Sequence, residues 1–295
     1  MIMKLPQSTP PSTENLTKFS TLADISISYR ERREQAKSQR LQSTRKNLNP
    51  RSEIFHLGIL VGDLCQSILL HPPPTNENNT PGIMRKNAEE IGRPMATLLL
   101  GLLYACNAVC GMNLRTCILK KIELNGRKYP VELCKGKSGK YTKYSNQTGI
   151  TKTEGQSTIE INENDGNSSS STVSTASTDS DQDDTPSATN SQTVEGVTSL
   201  IAKFATDRNW AKYHTPRNIA LALMGELGEL AELFQWKGDE DDVPLDDDNH
   251  WTEEERDYVG QEFADVSIYL LRLANVCEVE IGRVAVEIGT AGDGE

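Results

Sequence analysis

The sequence predicts an all-α protein. Three observations carry that expectation: apolar residues recur at three- and four-residue spacing in both halves of the chain, capping patterns precede the longest such stretches, and no convincing alternation of apolar and polar residues marks a strand. With 295 residues, 36% of them hydrophobic and 25% charged, the chain suits two modest domains and a linker.

Composition sets the divisions. Residues 1–50, rich in Ser and Arg and poor in acids, read as a basic and partly disordered N-terminal region, and residues 51–150 as a first helical unit. Residues 151–193 are mostly Ser, Thr, Asp, Asn and Gln; such a stretch cannot bury enough apolar surface to offset its ordering entropy, which makes it a disordered linker. Residues 194–295 form a second helical unit.

The elements follow in order. Residues 95–110 are uncharged but shorter than the roughly 18 to 20 apolar residues a bilayer requires, so they are assigned to a buried bundle helix. Pro94 is taken as a helix start, leaving Glu89 and Glu90 outside the helix interior. In the second unit, residues 197–210 place Leu200, Ile201 and Phe204 on one face. Thr215 and Pro216 suit the N-cap and first position of a helix running to about Trp236, with Leu223, Leu227, Leu230 and Phe234 as its buried stripe. An acidic loop over 238–249 ends at Thr252, which forms a capping box with Glu255 and opens a third helix through Val276.

A formal charge of −11 repels nucleic-acid backbones and anionic membranes, so neither is an expected partner. The six cysteines lack zinc-like pairing and read as reduced core thiols of a cytoplasmic protein. No apolar run follows Met1, which argues against a secretory leader; the Ser- and Arg-rich start leaves nuclear or organellar addresses as alternatives.

The string GELGELAEL spaces Glu226, Glu229 and Glu232 three residues apart, and Glu262 with Asp265 repeats that spacing on the next helix. One acidic pair at helical spacing is ordinarily solvated surface. Two matched pairs on consecutive apolar helices point elsewhere. Packed side by side they converge, and each like-charged contact at about 4 Å costs on the order of 4 kcal/mol at an effective dielectric of 20. Magnesium or manganese offsets that repulsion and leaves positions for phosphate oxygens. A di-iron bundle would want Glu-x-x-His pairs, and neither helix has a His at that offset.

Together HTPRN, GELGELAELFQWKG and QEFADVSIYLLRLA resemble the MazG-like all-α nucleoside triphosphate pyrophosphatases, most closely the eukaryotic dCTP-hydrolysing branch, over residues 200–281. The resemblance implies a helical bundle with metal ligands Glu226, Glu229, Glu262 and Asp265, and Glu229 or Glu226 as the group that activates water. It further implies nucleotide contacts from Trp210, Ala211, Lys212, Tyr213 and His214, with Trp236 and Tyr269. Residues 113–142 are similar to the tail of the same family, which implies phosphate or nucleotide contacts from Lys121, Asn125, Lys128, Tyr129, Lys140 and Tyr141. The first unit thus reads as a degenerate copy: ILVGD stands where the second has GELGE, leaving Asp63, or Gln66 in another register, and Leu98 falls near the Asp265 position.

The implied reaction is hydrolysis of dCTP or a modified dCTP to the monophosphate and pyrophosphate, with a homo-oligomer or an intramolecular pairing of the two copies completing the site. A non-catalytic nucleotide-binding or scaffold protein of the same descent is the alternative.

Overall fold

The computed structural model describes residues 16–41, 50–71, 81–137, 190–237 and 251–291; the rest of the linker stretch, the acidic loop, Lys140 and Tyr141 lie outside them. The described residues are helical, with an isolated bridge between Lys18 and Thr193. In chain order they form α1 (Phe19–Leu41), α2 (Pro50–Leu70), α3 (Pro81–Leu103) continuing as a π-helix (Tyr104–Val109), α4 (Leu114–Lys128), the short α5 (Val131–Cys134), a 3₁₀ turn (Asn190–Gln192), α6 (Val194–Asp207), α7 (Pro216–Gln235), α8 (Glu253–Val276) and α9 (Ile281–Thr290).

Helix ends follow local chemistry. Side chains of Asn113, Thr193, Thr215 and Thr252 accept hydrogen bonds from Thr116, Gly196, Asn218 and Glu255 backbone N–H groups, and Glu255 returns the bond to close the capping box. α6 begins and ends three residues before the 197–210 expectation, because Thr193 caps it and Asn209 adopts φ 52° just beyond it. Residues 190–193, assigned to the linker, are therefore a turn and a cap. α1 lies within the N-terminal basic region and carries Phe19 and Leu22 into the core.

Pro94 departs from the expectation more sharply. It sits inside α3, which places Glu89 and Glu90 within the helix, both exposed. A proline there removes the N–H that would serve the carbonyl four residues back. That carbonyl belongs to Glu90, and the Ser67 hydroxyl on α2 donates to it at 3.1 Å. A neighbouring helix thus supplies the missing donor and the helix continues.

A single core takes side chains from both halves, including Leu22, Leu57 and Leu99 with Leu223, Phe263 and Leu270. The contacts repeat. α2 packs on α3 as α7 packs on α8, α1 on α3 as α6 on α8, and each fourth helix crosses to the other half's third, α4 to α8 and α9 to α3. Burial repeats as well: Ile91, Met95, Ala96, Leu98, Leu99, Leu102 and Leu103 of α3 match Val259, Phe263, Ala264, Val266, Ser267, Leu270 and Leu271 of α8 in phase. Arg33 lies 5.6 Å from the Tyr29 ring centroid as Arg208 lies 3.5 Å from that of Phe204.

By length and composition, α2 is a described helix apolar enough to cross a membrane, and Glu89–Val109 with α4 passes only as a pair bent by 104°. The same criteria describe a core helix. Leu57, Leu60, Val61 and Leu64 of α2 are buried, whereas Phe55, Ile59, Leu69 and Leu70 are exposed. All six cysteines are free thiols, Cys106, Cys110 and Cys134 buried and Cys65, Cys117 and Cys277 partly so.

Candidate metal and nucleotide site

α7 and α8 lie side by side, fixed at one end by Lys237 Nζ to Glu255 Oε1 at 2.6 Å and by Trp251 against Phe234 at 5.2 Å between ring centroids. This brings the acidic motifs together. Carboxylate oxygens of Glu226, Glu262 and Asp265 lie within 4.8 Å of one another, each side chain partly buried. Glu229, a turn further along α7, is exposed and outside this cluster, although its charge acts on all three.

Burial first, then the charges of Asp265, Glu229 and Glu262, push the Glu226 carboxyl up to about 7, against the pull of Lys121. Burial likewise raises Glu262 and Asp265, again opposed by Lys121. Glu262 Oε2 is buried and makes no hydrogen bond to the described residues. Three convergent carboxylates with a bare buried oxygen offer the all-oxygen donors that a hard divalent cation takes.

The cation already beside the cluster comes from the other half of the chain. α4 packs on α8 and sets Lys121 Nζ 2.5 Å from Asp265 Oδ2, their side chains only 12% and 15% exposed. Asn125 and Lys128 follow on the same face of α4; Lys128 is exposed, and its charge reaches Glu262 and Asp265. Tyr129 ends the helix and meets Trp210 edge-on at 5.5 Å.

Beyond α4 the chain clamps the loop between α6 and α7. Arg208 Nε donates to the Tyr129 carbonyl at 2.8 Å, Gly136 N to the Arg208 carbonyl at 2.8 Å, and Tyr213 Oη to the Gly136 carbonyl at 2.8 Å. Gly136 has φ 72°, which a glycine adopts without strain. Trp210 Nε1 donates to the Lys137 carbonyl at 2.9 Å, and its ring also packs on Phe204 at 5.9 Å, so this tryptophan seals the junction of the two halves.

His214 stands beside Trp210 at 6.0 Å between centroids. Its Nδ1 lies 3.0 Å from Arg272 Nε, and burial, with Arg272 second, lowers its pKa to about 4. Tyr269, largely buried and raised well above the ordinary phenol value by burial and then by Glu226 and Asp265, stays protonated. Ala211 and Lys212 are exposed, the ammonium of Lys212 resting 4.9 Å from the Tyr213 ring centroid. Trp236, 86% exposed at the C-cap of α7, lies about 15 Å along the helix from Glu226 and does not join the other aromatics.

Sequence reasoning missed Arg208 and Arg272, both buried. A legible signal existed for Arg272: it is a charge seven residues after Asp265 within the apolar run VSIYLLRLA.

The site is thus that of a helical bundle in which paired acidic motifs face a lysine-bearing helix. In comparison with known proteins, about a third of the chain is similar to curated dCTP pyrophosphatase 1 sequences. The protein of that name from Bos taurus is 43% identical over 100 residues, 34% of this chain and 57% of the relative. The one from Rattus norvegicus is 46% identical over 94 residues (32% and 53%), and that from Homo sapiens 47% over 89 residues (30% and 50%). The chain therefore spans about half the length of the curated relatives it matches. No family model matches, and no solved structure does.

Proposed function

We propose that this chain hydrolyses deoxynucleoside triphosphates, dCTP and modified dCTP foremost, to the monophosphate and pyrophosphate in a magnesium-dependent reaction that manganese also supports. The observation that carries the proposal is the convergence of Glu226, Glu262 and Asp265 within 4.8 Å. Glu226, Glu262 and Asp265 would hold a divalent cation, with Glu229 completing the set from the solvent side; when bound, the cation would neutralise phosphate charge and acidify the attacking water. Glu229 or Glu226 accepts the water's proton as attack proceeds at the α-phosphorus. Lys121 and Lys128 bind the phosphate oxygens, with Asn125 beside them. Tyr129, Tyr269 and His214 line the nucleoside end.

The first half serves as the second's partner within one chain, a degenerate copy whose fourth helix completes the intact carboxylate site. The repeated contacts and burial phase support this pairing. We assign the protein to the cytoplasm, with nucleotide-pool sanitation as its task, and expect no nucleic-acid or membrane partner.

The test is a panel of nucleoside triphosphates assayed for pyrophosphate on the full chain, with and without magnesium, and repeated with Glu262→Gln and Asp265→Ala. Turnover unchanged in both variants excludes the site. The second reading, a nucleotide-binding or scaffold protein without catalysis, is favoured by the Lys121–Asp265 pair, since a lysine alone already offsets part of the cluster's charge. Magnesium-independent nucleotide binding with no pyrophosphate release supports that reading.

A further inference from the structure

Asp265, Tyr269 and Arg272 stand at i, i+4 and i+7 on α8 and so lie in one row on its face. The row is about 10 Å long at 1.5 Å per residue. It starts at the carboxylate cluster and ends where Arg272 meets His214 at 3.0 Å. Resting on the pyrophosphatase reading, the phosphates occupy the carboxylate and lysine end. The sugar then lies along Tyr269 and the base reaches His214.

A guanidinium has five N–H donors, no acceptor, and no accessible neutral form. Its contact with His214 Nδ1 therefore requires that nitrogen to carry a lone pair, which leaves the single ring proton on Nε2. Both partners are held in place. Arg272 is 7% exposed, and its Nη1 donates to Asn275 Oδ1 one turn on. The His214 backbone N–H is shared between the Trp210 and Ala211 carbonyls at 3.1 and 3.2 Å.

We propose that Arg272 is a positioning residue that holds His214 as a fixed Nε2–H donor toward the base, and that this donor selects cytosine over uracil and thymine. O2 accepts in all three pyrimidines, so the discriminating contact is at N3, a bare acceptor in cytosine. Uracil and thymine carry a proton on N3, so a donor that cannot switch tautomer faces another donor and both go unsatisfied. Such mismatches discriminate more strongly than a change in pocket size. Without Arg272 the imidazole proton is free to move to Nδ1, and the ring accepts from N3–H as readily as it donates to N3.

The test uses the full chain, Arg272→Met and Arg272→Lys. Kinetics with magnesium compare dCTP and dUTP, and nitrogen-15 spectra of the ring nitrogens of the four histidines report the tautomer of His214. In the wild type, His214 is protonated on Nε2. In Arg272→Met the tautomers mix and the preference for dCTP falls about tenfold or more, chiefly through KM for dCTP. Arg272→Lys, which restores a donor at Nδ1, recovers part of both. A wild-type proton on Nδ1, or an unchanged preference in Arg272→Met, overturns the inference. Absence of turnover for every nucleotide overturns the pyrophosphatase reading instead; comparative binding of dCMP and dUMP to the same proteins then decides on Arg272, equal affinities in the wild type counting against it.

Discussion

Replacing Lys121 with Met tests how the carboxylate cluster is held together in the metal-free chain. The variant keeps the length and apolar stem of the side chain and removes its charge, leaving Asp265 without its partner at 2.5 Å. The loss has an upper bound, because Asp265 can always take up a proton instead. For a carboxyl with a reference pKa near 3.9, protonation at pH 7 costs about 4 kcal/mol. Removing one partner of a buried pair ordinarily costs about 3–5 kcal/mol. These limits overlap at about 3–4 kcal/mol, or about 6–16 °C in Tm for a folded body of this size. Thermal unfolding in EDTA at pH 7 reads the loss. Magnesium should then raise Tm more in the variant than in the wild type, since the cation meets no competing ammonium at Asp265. A variant that melts with the wild type in EDTA refutes the view that Lys121 offsets the cluster's repulsion.

Other outcomes follow from particular contacts. Glu226 has its carboxyl raised from 4.5 to about 7, so the metal-free folded state binds more protons than the unfolded chain between those values. Stability contributed by this group is complete below about pH 4.5 and lost as pH rises toward 7, and Glu226→Gln should flatten that decline in Tm against pH. Ser67→Ala should cost about 0.5–1 kcal/mol in the wild type but little in a Pro94→Ala background, where residue 94 regains its own N–H; additive losses in denaturant titrations would show that Ser67 does not serve the Glu90 carbonyl. Thr252→Ala should remove about 1 kcal/mol through the α8 cap, seen as a lower urea midpoint at unchanged slope. Calorimetric titration with dCMP in magnesium should give one site per chain, and two sites would contradict a single carboxylate cluster.

Much of the second half was legible because its signals are local. Thr215 with Pro216, and Thr252 with Glu255, set helix starts within a few residues, and the apolar spacing on α7 and α8 set which faces are buried. What escaped was set by tertiary contact. Pro94 reads as a helix start until Ser67 on another helix is seen to donate to the Glu90 carbonyl. The Trp210 indole N–H donates to the Lys137 carbonyl across the junction between halves, a contact no local pattern announces. Glu229 and Glu226 look equivalent in GELGE, yet only Glu226 turns inward far enough to join Glu262 and Asp265, a rotation decided by how α7 packs on α8.

Burial phase favours one of the two registers that sequence left open between the halves. Buried Ile54, Leu57, Leu64 and Ile68 of α2 follow the same spacing as Ala220, Leu223, Leu230 and Phe234 of α7, and in that phase Leu60 falls at the place of Glu226 and Asp63, not Gln66, at that of Glu229. The α3 and α8 phases set Pro94, Thr97 and Gly101 opposite Glu262, Asp265 and Tyr269, one residue away from the Leu98 alignment. Leu60 also fills space at that place: a Cβ at Gly101 would lie 2.8 Å from its Cδ1. By that match the first half has leucine and proline where the second has Glu226 and Glu262, and the cavity beside Leu60, Thr97 and Gly101 is lined instead by Glu53, ion-paired to Arg30, and His56. The halves nevertheless share one core, so removing residues 1–150 would strip α8 of α4 and expose Leu270 and Phe263 along with the site. Loss of activity in such a truncation would report unfolding as readily as a missing lysine, which is why a single substitution at Lys121 is the sharper probe.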